Sequence, residues 1–126
     1  MAIAKKTNDV LKPLKLTLGR EERMLLRGPL HELWKVSPDH LGGIGMKMIF
    51  LCRCNRIIKA IAGGMGKDNS TLTLGYDDAQ AVVSAIRIHL QRFPGLHHEV
   101  AGFHREILTL IEPVLFPLFD GENAPE

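Results

Sequence analysis

The sequence predicts a mainly α fold, α+β with a minor sheet, in which two pseudo-repeated strand–helix–helix units pack as one helical domain. Three observations carry this. Long segments place apolar residues at helical spacing, two short Leu-Thr-Leu segments alternate, and the second of these copies the first 56 residues later. Lys15-Leu16-Thr17-Leu18-Gly19 returns as Thr71-Leu72-Thr73-Leu74-Gly75. The same offset sets Glu21-Glu22 over Asp77-Asp78, Leu26 over Val82, Leu30 over Ile86, Pro38 over Pro94 and Ile44 over Val100. A fixed self-similar period of this length is the mark of a duplicated unit.

Each unit has the same order of elements. The Leu-Thr-Leu segment is β-prone and ends at a glycine. Two acids follow, suited to the positive end of a helix dipole. In the first unit, Met24, Leu26, Leu30 and Leu33 continue at helical spacing. Gly28-Pro29 falls among them, and an internal proline removes a hydrogen bond, so a kink or restart is expected there. Ser37-Pro38-Asp39 reads as the start of the next helix, with Gly42, Gly43 and Gly45 weakening its first turn. From Ile44 to Ala62 the chain is apolar around more than half of the helix circumference. In the second unit, Ala79, Val82, Val83, Ile86 and Leu90 predict an amphipathic helix over 77–92. Leu96, Val100, Phe103, Ile107 and Leu110 line one face of a last helix, expected to stop before Pro113. The units span about 14–62 and 71–113, residues 63–70 read as a linker, and 1–9 and 120–126 as flexible ends of a single domain over 1–126.

A chain of 126 residues, 45% hydrophobic, can bury a core without disulfide or metal staples. Its two cysteines, Cys52 and Cys54, make no disulfide framework and suit a reduced, cytoplasmic setting. The N-terminus lacks the apolar stretch of a signal peptide, and the longest apolar run, Met48 to Cys52, is far too short to span a bilayer. The net charge of +2 is small, but its distribution is uneven. Residues 1–63 hold twelve Lys/Arg against five Asp/Glu, and residues 64–126 hold four against nine. Either a partner meets the basic half or the two halves meet each other.

The candidate sites are weak as chemistry. Gly64-Met65-Gly66-Lys67 lacks the earlier glycine and the following Ser/Thr of a phosphate-binding loop. On a helix, Cys52 and Cys54 point about 200° apart and cannot grip one ion. His97 and His104 are two turns apart, too far for the ligand pair of a zinc helix, and His98 adds only a neighbour. Glu21-Glu22 and Asp77-Asp78 are explained by helix starts, and Ser70 and Ser84 lack a nucleophile elbow. No catalytic, cofactor-binding or metal residue is therefore assigned, and no cofactor is expected.

Two binding functions remain. The first is a self-associating adaptor or regulatory module, a homodimer, because surplus apolar surface on a small chain marks a partner site. Its interface would comprise Met46, Phe50, Ile57 and Ile61 of the over-hydrophobic helix, with Leu115, Phe116 and Phe119 of the apolar C-terminal run. The second is a DNA-binding regulator using Lys12, Lys15, Arg53, Arg56 and Lys59 of the basic half. A strand followed by two helices is also the element order of ribbon–helix–helix DNA binders. Here the helices read longer, and the strand offers Lys15 and Thr17 and little else to read bases.

Overall fold

The computed structural model describes residues 13–66 and 69–115. Strand β1 (Leu14–Gly19) leads into helix α1 (Arg20–Glu32), and two 3-10 turns (Leu33–Lys35 and Pro38–Leu41) connect it to helix α2 (Ile44–Gly63). Strand β2 (Asn69–Leu74), helix α3 (Tyr76–Arg92) and helix α4 (His98–Leu115) complete the chain. The fold is thus mainly helical with one two-stranded antiparallel sheet among the described residues.

Alternation decides the faces of that sheet. Leu16, Leu18, Leu72 and Leu74 are buried, while Lys15, Thr17, Asn69, Thr71 and Thr73 are exposed. Leu16 pairs with Leu72, Lys15 with Thr73, and Thr17 with Thr71. The register is therefore symmetric about the Leu16–Leu72 pair, the two residues that the 56-residue offset equates. Helices α1 and α3 lie next to each other over the leucine face, each packed against its own following helix, α2 or α4.

Leu26 and Val82, and Leu30 and Ile86, are all buried, so the offset of 56 holds through the first helices. It does not hold beyond them. In the second helices the buried residues match at 50: Cys54 with His104, Ile57 with Ile107, and Ile61 with Ile111. The connection 33–43 is six residues longer than the connection 93–97, which accounts for the change. Pairing Pro38 with Pro94 and Ile44 with Val100 is thus not structural.

Three expected boundaries move. Ser37-Pro38-Asp39 starts a 3-10 turn instead of a helix, with the Ser37 hydroxyl accepting from the Asp39 N–H. Gly42 and Gly43 then adopt φ of 87° and 107°, which end the turn and re-aim the chain into α2. The last helix continues through Pro113 to Leu115.

The third boundary concerns Pro29. Helix α1 runs unbroken through it to Glu32. Proline has no N–H, so the carbonyl four residues earlier, that of Leu25, loses its helical donor. His104 of α4 takes over: its Nε2 donates to the Leu25 oxygen at 2.9 Å. The geometry requires the proton on Nε2 and leaves Nδ1 buried without a partner among the described residues. At the corresponding place in the other unit, Ala85 keeps its N–H, and Cys54, an apolar residue, stands where His104 stands.

Arg23 supplies a second long-range tie. It is 1% exposed, and its Nη1 donates to the carbonyl oxygens of Ile61 at 2.9 Å and of Ala60 at 3.4 Å. A cation on the last carbonyls of α2 satisfies groups that the helix cannot, and complements its dipole. Gly64 makes room for it, since a Cβ there would come within 2.4 Å of the guanidinium carbon. The Gly64 carbonyl in turn accepts from the Ser70 hydroxyl at 3.2 Å, which leads the chain into β2.

The His104 tie makes a specific expectation. His104→Leu should cost about 2 kcal/mol, because a buried carbonyl is left without a donor. In a Pro29→Ala background the helix donor returns, so the same change should cost about 1 kcal/mol less. Urea denaturation of the four proteins measures this coupling, and equal costs in both backgrounds would refute the tie.

Candidate functional site

Helix α2 points one side into the domain and one side out. Cys54, Ile57 and Ile61 are buried, with Phe50, Leu51 and Ile58 packed half-buried against the same core. At 100° per residue, the direction opposite to Cys54, Ile57 and Ile61 is that of Gly45, Met48, Ile49 and Cys52, flanked by Ile44. These are all exposed, Ile44 at 73% and Met48 at 57%. Further along the same side the residues become Asn55, Arg56 and Lys59. The outer face of α2 is therefore apolar for its first half and polar for its second. Trp34, also exposed, stands in the turn before α2, and Lys47 Nζ donates to its carbonyl at 2.7 Å, which fixes that turn to the helix.

Of the interface residues expected from the sequence, Ile57 and Ile61 are corrected by this geometry. They are 1% and 0% exposed inside the chain's own core and offer nothing to a partner. Phe50 is half-buried under the Arg53 guanidinium, 6.0 Å from its ring centroid. Met46 stays exposed at the edge of the helix, beside Gly42. Leu115 is the final residue of α4, and Phe116 and Phe119 lie outside the described residues. The residues that form the patch, Ile44, Met48 and Ile49, were not among those expected. Counting stripes shows that α2 has two apolar sides, but not which side the rest of the chain covers.

The basic candidates also separate. Arg53 lies 3.8 Å from Asp77, and Arg56 pairs with Asp78, whose hydrogen bond, and then its charge, raise the arginine's pKa. The opposite fields of the two halves meet here, across α2 and α3. Lys15, on the outer face of β1, and Lys59 remain exposed, and Lys12 lies outside the described residues.

The paired acids act as helix starts. Glu22 accepts from the Gly19 N–H at 2.9 Å, closing the first turn of α1. The histidines do not form one cluster. His97 and His98 stack on the surface with ring centroids 4.5 Å apart, whereas His104 is buried against His89, 5.6 Å away and edge-on. Among the described residues no three His, Cys, Asp or Glu side chains converge as a metal site would require. Cys52 faces solvent and Cys54 the core, where burial, aided by Asp78, pushes the Cys54 thiol up to about 12. No described helix is long and apolar enough to cross a membrane.

Compared with known protein families, with characterised proteins and with solved structures, the chain shows no match.

Burial holds the pKa of His89 below its ordinary value; His104 and Arg92 lower it further, and Glu32 opposes them. The unfolded chain therefore takes up the proton first as pH falls. Stability should be lost from about pH 6.5 downward, until the folded-state pKa is passed. Melting temperature should accordingly fall between about pH 7.5 and pH 5.5, and His89→Gln should flatten that fall. An unchanged slope in the variant would assign the loss to other groups.

Proposed function

We propose that this chain is a non-enzymatic protein-interaction module of the adaptor or regulatory type, which self-associates through the outer face of the first half of α2. The observation that carries this reading is the contiguous exposed set Ile44, Met48, Ile49 and Cys52, on a helix whose other side is already used by the core. Apolar surface so concentrated on a small chain marks a contact site. Gly45, on the same face, has open space where a side chain would stand, so a second helix can approach closely. A two-fold contact would set this face against its own copy, with Asn55, Arg56 and Lys59 at the wet rim. Two free thiols fit a reduced, cytoplasmic setting. The same reading takes the two units as products of a duplication, supported by the symmetric strand register and the matched burial of the helices.

The DNA-binding alternative has less support. Two of its five basic residues, Arg53 and Arg56, are spent on Asp77 and Asp78. An interface needs free cations to displace counterions from phosphate.

Sedimentation equilibrium at micromolar concentration should find the wild type as a dimer. Met48→Glu should weaken association by about thirtyfold, near 2 kcal/mol, without altering the circular dichroism spectrum. Mild oxidation should cross-link Cys52 in the wild type and not in that variant. A monomeric wild type would defeat the proposal. Retention of duplex DNA that weakens steeply with salt, and disappears on Lys15→Ala and Lys59→Ala, would favour the alternative instead.

A further inference from the structure

A second surface lies on the opposite, strand-bearing part of the molecule, along the free edge of β1. Among the described residues the sheet has two strands, so β1 has β2 on one side and no described strand on the other. Every second residue of such an edge turns its N–H and C=O outward, ready to pair with another chain. A groove of about 260 Å³ runs beside this edge. Its floor is apolar, formed by Leu14, Phe103, Ile107 and Leu110, and its acidic side chains are Glu22 and Glu106.

The other half of the molecule shows what a filled version of this groove looks like. There α2 packs against β2, whereas the corresponding helix, α4, packs more sparsely against β1. At the offsets of 50 and 56, Glu106 corresponds to Arg56 and Glu22 to Asp78. Arg56 and Asp78 form an ion pair. Glu106 and Glu22 are two acids, and neither has an ion-pair partner among the described residues. Lys15 reaches the same groove from the strand, but pairs with neither carboxylate. Among the described residues the site therefore combines a strand edge, an apolar floor and two acids without an ion-pair partner, where its counterpart holds a guanidinium.

From this juxtaposition we infer that the β1 edge binds an extended segment of another protein, with apolar residues and one basic residue on the same strand face, as a third strand. Main-chain hydrogen bonds to β1 hold it, apolar side chains cover Phe103, Ile107 and Leu110, and one arginine or lysine sits between Glu22 and Glu106. This is strand addition with a charge-selective pocket. It lies outside the α2 face and does not depend on self-association.

The test uses the full chain and a labelled peptide, Thr-Val-Thr-Arg-Thr-Val-Thr, whose valines and arginine share one strand face, with fluorescence anisotropy as the readout. Binding should saturate, and replacing the peptide arginine by glutamate should weaken it about tenfold or more, as expected for a charge-assisted hydrogen-bonded pair. Glu106→Arg should weaken binding to the same degree while raising the melting temperature, because it places an arginine against Glu22 as Arg56 stands against Asp78. A variant that merely misfolds would lower the melting temperature, so the two effects are separable. Met48→Glu should bind the peptide like the wild type. Absence of binding, equal affinity for the two peptides, or unchanged affinity in Glu106→Arg would overturn the inference. Binding seen only after Lys5→Glu and Lys6→Glu would make the chain's own N-terminal segment the occupant. Loss of a dimer on Glu106→Arg would make it a second copy. Either result would remove the partner protein.

Discussion

Pro29 leaves the Leu25 carbonyl without its helical donor, and the 2.9 Å bond from His104 Nε2 supplies one from another helix. Much else follows from this exchange. It lets α1 continue through a residue that would otherwise break it, so Leu26 and Leu30 both reach the core. It also fixes the height and rotation of α4 on α1, since the bond tolerates little displacement. Ile107 and Ile111 are thereby set into the core below it. Arg23 makes the comparable tie for α2, through the carbonyls of Ala60 and Ile61. Each second helix is thus anchored to α1 by one buried polar side chain, in the one case from the helix itself and in the other onto its end.

The two strand–helix–helix segments bury matching positions but differ in their chemistry. Where one has Pro29 and His104, the other has Ala85 and Cys54. Where α2 and α3 meet through Arg53–Asp77 and Arg56–Asp78, the matching positions of α4 and α1 hold Phe103 with Glu21 and Glu106 with Glu22. Matched burial needs only that apolar residues recur on the faces turned inward, and that requirement is met in both segments. Polar positions at the joints are free to diverge, provided each buried donor and acceptor finds a partner. The divergence leaves one joint closed by ion pairs and the other open, with acids along a strand edge.

The surfaces left over reflect the same arithmetic. A four-helix domain on a two-stranded sheet has only enough chain to cover one side of each helix. Helix α3 meets α1, α2 and α4 and is the most enclosed, with Ala81, Val82, Ala85 and Ile86 all buried. Helix α2, at the margin, keeps its first two turns apolar outside as well as in. Burying that outer face against another chain would regain roughly 25 cal/mol per Å² covered, which gives the patch its energetic meaning.

The sequence by itself determined the fold class, the two Leu-Thr-Leu strands and the helices that carry strict periodicity. Alternation and 3.6-residue spacing are local properties, and 77–92 is legible from them because one clear stripe admits one orientation. Helix α2 was legible as a helix but not as a surface, since Met46, Phe50, Cys54, Ile57 and Ile61 form one stripe, and Ile44, Met48, Leu51 and Ile58 another. Only the tertiary structure decided which stripe the other helices cover, and it put Ile57 and Ile61 inside. The joints were beyond local reading for the same reason. Leu25 and His104, Arg23 and Ile61, and Glu22 and Glu106 are far apart in the chain, and nothing in their neighbours' spacing records the meeting. Pro29 held the one available signal, because an internal proline implies a freed carbonyl and therefore a donor somewhere, although its identity depends on how α4 crosses α1.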